Sequence, residues 1–301
     1  MDNSMGETGG YPLPITRWLE ATERACEGGE GGGCHEAVLG LVEAITCYLG
    51  AVAVGQYSQA LYREQIEADP ALNRSLRSLR RVLPGQWLRW ASGGLAAVGA
   101  GQVAGLSEWY TREQTGRVAE AYTGLRNVMV ENLGYAGDYG PRDSAAPRHL
   151  LELVDQYRIR RSKVPAGPLP ADIDRRVADA LLPGLRALLE SAGFLTEYQL
   201  YAPERRQLLM GARAVSPMPP ISSPGDNAAT LLLYPPGEVP DYTKRPNLQA
   251  ERVPLFPLDP LLVYTHCSEC DAYRVAALRE VVGGVPAYVG LDPECGHIIQ
   301  G

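Results

Sequence analysis

The sequence predicts an α+β protein, in which an N-terminal α-helical bundle is followed by a small antiparallel β domain. Two observations support this prediction. Apolar residues recur with a period close to 3.6 as far as Gly193, and with a period close to 2 beyond it. The second part also carries cysteines and a histidine at the ends of two predicted strands. We predict a disordered tail over 1–10, the bundle over 11–193 and the β domain over 194–301.

The predicted bundle is organised around one long apolar helix. Between residues 34 and 68, Val38, Leu41, Ile45 and Leu49 recur at spacings of three and four, so one broad face is apolar. A helix with such a face is expected at the centre of a bundle. The remaining helices are predicted to begin near Pro12 and to cover 71–82, a segment from residue 86, 108–131, 148–161 and 171–193.

Glycines and prolines mark the other boundaries. Gly93-Gly94 within the fourth helical segment indicates a loop or a close helix crossing. After Gly193 an alternating pattern predicts a strand over 194–200, and Gly283-Gly284 predicts a hairpin turn. The other strands are predicted over 207–215, 229–234, 261–264, 273–282 and 285–290.

Composition and charge limit the classes of function. The net charge of −7 argues against a basic nucleic-acid-binding surface over the whole molecule. Only two of the 28 basic residues are lysines, which is typical of GC-rich bacterial genomes. The run 95–106, taken as the most apolar, is shorter than a membrane span, and the N-terminus lacks a signal-peptide pattern. We therefore expect a cytoplasmic protein without a membrane partner, in which clustered cysteines indicate metal rather than disulfides.

Four residues near the C-terminus form the strongest pattern in the chain. Cys267 and Cys270 are two residues apart, which allows two thiolates on one tight turn to bind the same metal ion. Cys295 and His297 follow a predicted hairpin and could complete a tetrahedron. We predict that these four residues bind a zinc ion. His266 is an alternative fourth ligand, and a cysteine pair that packs without metal is the alternative to the site as a whole.

The layout over 261–298 resembles a zinc ribbon, in which two turns at strand ends form metal-binding knuckles. The resemblance is incomplete in the second knuckle, where Cys295-x-His297 replaces the more common Cys-x2-Cys. Four protein ligands leave no open coordination position, so the predicted site is structural rather than catalytic. A second, looser group is formed by Cys26, Cys34, His35 and Cys47. We interpret Cys47 as a core residue and keep a second metal site as the alternative.

A short motif suggests a ribonuclease as an alternative function. Arg126-Asn127 near a helix end, with Asn132 five positions beyond Asn127, resembles the HEPN family of small bacterial helical domains. Many of these are metal-independent ribonucleases in which an Arg is followed a few positions later by His. Asn132 occupies the His position here and does not titrate near neutral pH. A second register, Arg142-Asp143 with His149, has a suitable gap, but Pro147 lies inside it.

Arg74, Arg77 and Arg81 form a basic series in the predicted helix 71–82. Such a series is usually a solvated helix face, and its alternative interpretation is a phosphate-binding stripe. We predict no catalytic residues, since no recognised hydrolase, nucleotide-binding or dinucleotide-binding motif is found in the sequence. The leading hypothesis is a non-catalytic adaptor with a structural zinc ion and a protein partner, such as an accessory subunit of a regulatory or defence system.

Overall fold

The computed structural model describes residues 10–28, 31–77, 79–99, 101–135, 147, 149–164, 169–170, 172–202, 207–208, 229–234 and 255–300. Within these residues helices come first and antiparallel strands follow, so the α+β prediction is confirmed. The predicted tail lies outside the described residues, apart from Gly10. The helices are α1 Leu13–Glu27, α2 Gly31–Tyr62, α3 Pro70–Arg77, α4 Pro84–Val98, α5 Leu106–Thr111, α6 Gly116–Asn132, α7 Leu150–Arg161, α8 Ile173–Glu190 and α9 Phe194–Glu197.

Helix α2 is the centre of the helical part, as its sequence predicts. It is apolar on nearly all sides, and it packs against α1, α4, α7 and α8 and against two strands. By length and hydropathy, Gly32–Tyr62 could cross a membrane, which corrects the expectation that no apolar run reaches that length. In the structure 83% of its most apolar stretch is buried, as in the core helix of a globular protein.

The contact between α2 and α4 depends on glycines. Helix α4 runs without interruption through Gly93 and Gly94, so of the two predicted alternatives the structure shows a close crossing. A Cβ atom at Gly94 would lie 2.8 Å from the backbone oxygen of Ala53. A Cβ at Gly50 would lie 2.9 Å from the backbone oxygen of Trp87. The two backbones therefore approach more closely than any side chain would allow.

The strands form two antiparallel sheets. One has the order β2-β1-β4-β5 and the other β3-β6-β7-β8-β9. The chain passes from the larger sheet to the smaller one at Leu231, which is buried between β3 and β4. Gly283 and Gly284 join β7 to β8 with φ angles of 60° and 86°, as a tight hairpin requires. The strands are β1 Gln199–Ala202, β2 Gln207–Leu208, β3 Ala229–Thr230, β4 Leu232–Tyr234, β5 Phe256–Pro257, β6 Leu262–Cys267, β7 Ala272–Val282, β8 Val285–Gly290 and β9 Ile298–Gln300.

Helices and sheets share one continuous set of buried apolar side chains. The backbone N–H of Val82 donates to the oxygen of Arg279 at 2.7 Å, and that of Val281 donates to the oxygen of Leu79 at 2.9 Å. The connection between α3 and α4 thus pairs with β7, next to the irregularity in its register between Leu278 and Glu280. The larger sheet is consequently fixed to the helical part by backbone hydrogen bonds as well as by apolar contact.

Several predicted boundaries are wrong. The strand predicted over 194–200 is a short helix, α9, followed by β1, because Phe194 and Leu195 are both buried and so do not alternate. The strand predicted over 229–234 is two strands in different sheets. Most of the strand predicted over 207–215 lies outside the described residues.

The glycine at the α2–α4 crossing allows a matched test. We expect Gly94→Ala to lower the free energy of unfolding by about 1–3 kcal/mol, because the new methyl group meets the backbone of Ala53. The control is Gly93→Ala, whose methyl would make only an ordinary contact with Leu72 at 3.4 Å. Because alanine has a higher helix propensity than glycine, Gly93→Ala should leave the free energy of unfolding unchanged or raise it by up to about 1 kcal/mol. Equal effects of the two substitutions in urea unfolding would contradict the close crossing.

Candidate metal centre

The first cysteine pair lies on the turn between β6 and β7. Cys267 ends β6 and pairs with Ala272, the first residue of β7. Cys270 lies within the four-residue connection, which closes with Asp271 at a φ of 49°. Asp tolerates this left-handed conformation better than most residues. The strand pairing therefore holds both thiols at the end of the sheet.

The second pair lies on the turn between β8 and β9. The backbone N–H of Cys295 donates to the oxygen of Asp292 at 2.9 Å, and the N–H of Glu294 donates to the Asp292 carboxylate at 3.0 Å. These bonds form a tight turn that carries Cys295 and His297. Gly290 gives the turn its space, since a Cβ atom there would lie 2.5 Å from the backbone oxygen of Cys295.

The structure brings the two turns together. One ligand atom from each of Cys267, Cys270, Cys295 and His297 can be chosen so that all four lie within 4.8 Å of one another. The Nδ1 atom of His297 is 3.5, 3.2 and 3.8 Å from the sulfurs of Cys267, Cys270 and Cys295 respectively. In a tetrahedral zinc site the corresponding nitrogen–sulfur edges measure about 3.6 Å, from the usual bond lengths. The group therefore lies within ion-binding distance and suggests a metal ion.

The second ring nitrogen of His297 faces a carboxylate. Nε2 lies 3.5 Å from an oxygen of Glu269, which stands between the two cysteines of the first turn. In metal sites a ligating histidine typically donates its other N–H to such an acceptor, which fixes the tautomer and the ring orientation. The imidazole of His297 thus has its Nδ1 toward the sulfurs and its Nε2 toward the carboxylate.

The alternative ligand His266 is placed elsewhere. Its Nε2 lies 3.3 Å from Asp271, and its ring meets the edge of the Tyr273 ring at 5.1 Å between centroids. His266 precedes Cys267 in β6, and successive side chains of a strand point to opposite faces. The described ligand group accordingly contains His297 and not His266.

The three thiols differ in their protonation. Burial opposes ionisation of Cys267, but the backbone N–H of Cys270 and the side chains of His297 and Cys295 outweigh it and lower the pKa of Cys267 to about 7. Burial, together with Cys270 and Cys267, raises the pKa of Cys295 to about 12. One thiolate thus forms readily and disfavours ionisation of the next. A bound cation would reverse this repulsion, because its charge favours thiolates.

Asp292, which the sequence analysis did not identify, connects the second turn to the helical part. Its buried carboxylate accepts hydrogen bonds from Arg17 in α1 and from Arg274 in β7, the latter at 3.3 Å. The Asp292-Pro293 dipeptide is a recognised turn signal and could have indicated its position. Its role as an anchor for α1 depends on a residue 275 positions away, which no local pattern predicts.

The looser cysteine group does not form a metal cluster among the described residues. Cys26 and Cys34 form a disulfide that joins the end of α1 to the start of α2. For this pair, the expectation that clustered cysteines indicate metal rather than disulfides is wrong. His35 is buried, with its Nε2 atom 2.9 Å from the hydroxyl of Tyr157. Cys47 is a buried core residue, as predicted, and burial raises the pKa of its thiol.

The two described residues that would take the histidine position of the HEPN-like motif, Asn132 and His149, have structural roles. Asn132 ends α6 and donates to the backbone oxygen of Val128 at 2.9 Å, so its amide is used within the helix. Arg142 lies outside the described residues. His149 is 3% exposed and caps α7, and burial lowers its pKa to about 4. The structure therefore gives no support to the HEPN-like interpretation.

The basic series is not a continuous helical stripe. Helix α3 ends at Arg77, four residues short of Arg81, so the predicted helix over 71–82 is too long. Arg74, Arg77 and Arg81 are all exposed. The helical spacing on which the phosphate-binding alternative depended is therefore lost after Arg77.

Comparison with known proteins identifies no relative of this chain. No protein-family model matches this chain, and no curated protein or solved structure matches it. The function of this chain is therefore inferred from its own geometry and chemistry.

The buried His149 predicts a pH-dependent stability. The unfolded chain takes up a proton at His149 near pH 6.5, whereas the folded protein does so only near pH 4. The contribution of His149 to the free energy of unfolding is therefore fully present above about pH 6.5. It is lost as the pH is lowered towards 4, and the loss amounts to about 3 kcal/mol. Urea unfolding of the wild type and His149→Asn, which retains a helix-capping side chain, measures this contribution. Equal losses of stability in both proteins over this pH range would contradict it.

Proposed function

We propose that Cys267, Cys270, Cys295 and His297 bind one structural zinc ion. The observation that carries the proposal is the position of the His297 ring. Its Nδ1 is 3.2–3.8 Å from three sulfurs, while its Nε2 faces Glu269. Packing against cysteines alone would not require one ring nitrogen to face the sulfurs and the other to face a carboxylate.

The donor set favours zinc among the common divalent ions. Three thiolates and one imidazole are soft or borderline ligands, whereas magnesium and calcium prefer oxygen. Four protein ligands complete a tetrahedron and leave no position for a water molecule or substrate. Glu269 is directed to the imidazole, so it orients a ligand and is not a general base. The proposed zinc is therefore part of the scaffold.

The proposed ion would join two segments that are distant in sequence. The first turn connects β6 to β7 and the second connects β8 to β9, so one ion would cross-link two turns at the same end of the larger sheet. Zinc binding of this kind contributes directly to folding. Because Asp292 ties the second turn to α1, the cross-link also supports the contact between the sheet and the helices.

The zinc proposal predicts how much zinc each chain binds and which substitution removes it. Elemental analysis of the purified protein should give about one zinc per chain. Cys270→Ser should abolish tight binding and lower the midpoint of thermal unfolding, because it removes a thiolate ligand and leaves the other ligand groups crowded.

The matched control is His266→Asn, which changes the neighbouring histidine outside the ligand group. It should retain one zinc per chain. Zinc loss in His266→Asn but not in His297→Asn would overturn the ligand assignment. Wild-type protein that folds fully without any metal would overturn the structural role.

We further propose that the protein acts as a non-catalytic adaptor and binds a protein partner through its larger sheet. Two features support this. Strand β9 is at one edge of the sheet, and its Ile298 side chain is 52% exposed. Val282 and Val285 at the β7–β8 turn are also exposed. No other described strand pairs with the outer side of β9, and such an edge with apolar side chains can pair with an extended segment of another protein.

The adaptor proposal can be tested by a substitution at this edge. Ile298→Lys should remove the partner recovered by affinity purification from the cells that naturally make the protein, because it places a charge in an apolar contact. Tyr62→Lys, which changes an exposed aromatic residue at the end of α2, should leave recovery unchanged. Identical sets of recovered proteins for wild type and Ile298→Lys would contradict binding at this edge.

A further inference from the structure

The segment that contains α3 and α4 carries a concentration of positive charge that neither the metal centre nor the β9 edge uses. Residues 70–107 contain five arginines and no lysine, aspartate or glutamate. The rest of the chain holds the other 23 of the 28 basic residues and all 35 acidic residues, so its net charge is −12. The overall charge of −7 therefore conceals a local excess of the opposite sign. The arginine group consists of Arg74, Arg77, Arg80, Arg81 and Arg89.

The fold brings the elements that carry this group together. Helix α3, with Arg74 and Arg77, packs against α4, with Arg89. The indole N–H of Trp90 in α4 donates to the hydroxyl of Ser75 in α3 at 2.9 Å, which fixes the contact. The arginines of both helices therefore belong to one compact unit.

The connection between the two helices contains Arg80 and Arg81 and brings a further arginine to the group. The backbone N–H of Val82 in this connection donates to the oxygen of Arg279 in β7 at 2.7 Å. The side chains of Arg279 and Arg89 line the same cleft, which has a volume of about 940 Å³. Six arginines are thus placed on α3, its connection to α4, the start of α4 and the adjoining part of β7.

The five side chains of the arginine group are accessible and uncommitted. All five residues are exposed, and none of them forms an ion pair or a side-chain hydrogen bond with another described residue. Arginines elsewhere are used within the protein, as shown by Arg158 with Glu43 and Arg176 with Glu131, both at 2.6 Å. A guanidinium group keeps its charge at physiological pH and has five N–H donors. The arginine group therefore offers both charge and donors to a partner.

Carboxylates beside the group offset only part of its charge. Asp69 caps the first turn of α3, where its carboxylate accepts two backbone N–H groups. Asp155 lies against the first turn of α4, since a Cβ atom at Gly85 would be 2.4 Å from its carboxylate oxygen. Glu280 follows Arg279 in β7. These three negative charges leave the six arginines with a positive excess.

The composition of this surface indicates the kind of polyanion that fits it. Guanidinium groups bind phosphates with two parallel hydrogen bonds, and their distribution over several elements suits an extended chain of phosphates. Trp87 and Trp90, the aromatic residues of the segment 70–107, are buried. Unpaired bases bind largely by stacking on exposed aromatic rings, which this segment does not offer. A duplex, whose bases stack on each other and whose phosphates lie outside, fits better than a single strand.

We propose that the arginine group, together with Arg279, binds the phosphate backbone of a nucleic-acid duplex without reading its base sequence. Contacts of arginines with phosphates supply affinity and position, but they carry no information about sequence. The proposal adds a second class of partner to the proposed adaptor. It is independent of the zinc ion and of the β9 edge.

Fluorescence anisotropy with labelled duplexes of about 20 base pairs tests the proposal on the full-length protein as purified. We expect a dissociation constant in the micromolar range at about 50 mM salt. The logarithm of the affinity should fall against the logarithm of the salt concentration with a slope of about −4 to −5, as expected for about five phosphate contacts. DNA and RNA duplexes are titrated in parallel, and binding of either supports the proposal. Single-stranded DNA of the same length should bind more weakly.

Two triple variants separate a local surface from the net charge of the protein, because each removes three positive charges. The first variant combines Arg77→Gln, Arg81→Gln and Arg89→Gln. The control changes three arginines of α8 that are each paired with a carboxylate, and it combines Arg175→Gln, Arg176→Gln and Arg186→Gln. The first variant should bind the duplex at least about tenfold more weakly and reduce the steepness of the salt dependence by about 3. The control should change the affinity by less than about twofold. Both should retain the midpoint of urea unfolding, since ion pairs at the surface contribute little to stability.

Four results would overturn the proposal. One is a folded wild-type protein that binds neither duplex at about 50 mM salt. Another is an equal loss of affinity in the two triple variants, which would assign binding to net charge and not to the arginine group. The third is displacement of the duplex by polyglutamate at an equal concentration of charges, which would indicate an acidic protein as the partner. The fourth is tighter binding of single-stranded DNA than of either duplex. Failure of the zinc experiments would leave these measurements unaffected.

Discussion

The convergence of three sulfurs and one imidazole nitrogen is the interaction on which the C-terminal part of this protein depends. Two thiolates this close together would repel each other, and burial, together with Cys270 and Cys267, raises the pKa of Cys295. The backbone nevertheless holds them together with two tight turns and a glycine at 290. A divalent cation would convert this repulsion into attraction, which is why the arrangement is best understood as a metal site.

The rest of the structure holds this site in place. Arg17 of α1 reaches Asp292 in the second turn, and α1 is joined to α2 by packing and by the Cys26–Cys34 disulfide. Helix α2 in turn is buried among α1, α4, α7 and α8, where close glycine contacts fix α4 against it. The proposed metal centre would therefore be supported by the helical part, although its ligands come from the strand ends and turns of the sheet.

The sequence predicts the parts of this structure that depend on local pattern. The period of the apolar residues predicts the α+β order and the central position of α2, and the turn residues predict the β7–β8 hairpin. Spacing alone, however, cannot distinguish His297 from His266, because that choice depends on the face of β6 that His266 occupies and on the approach of the turn that carries His297. The contacts Arg17–Asp292 and Gln114–Leu150 join distant segments, so they also escape local reasoning. At 194–197, burial of consecutive residues overrides an apparently alternating pattern.

The most direct measurement is X-ray absorption spectroscopy of the purified protein at the zinc edge. A closed structural site predicts three sulfur neighbours at about 2.3 Å and one nitrogen neighbour at about 2.0–2.1 Å. His266→Asn, which leaves all four ligands in place, should leave both contributions unchanged. A spectrum with an oxygen neighbour from water would show an open coordination position, and a protein without zinc would show no signal. Either result would contradict a scaffold role for the ion.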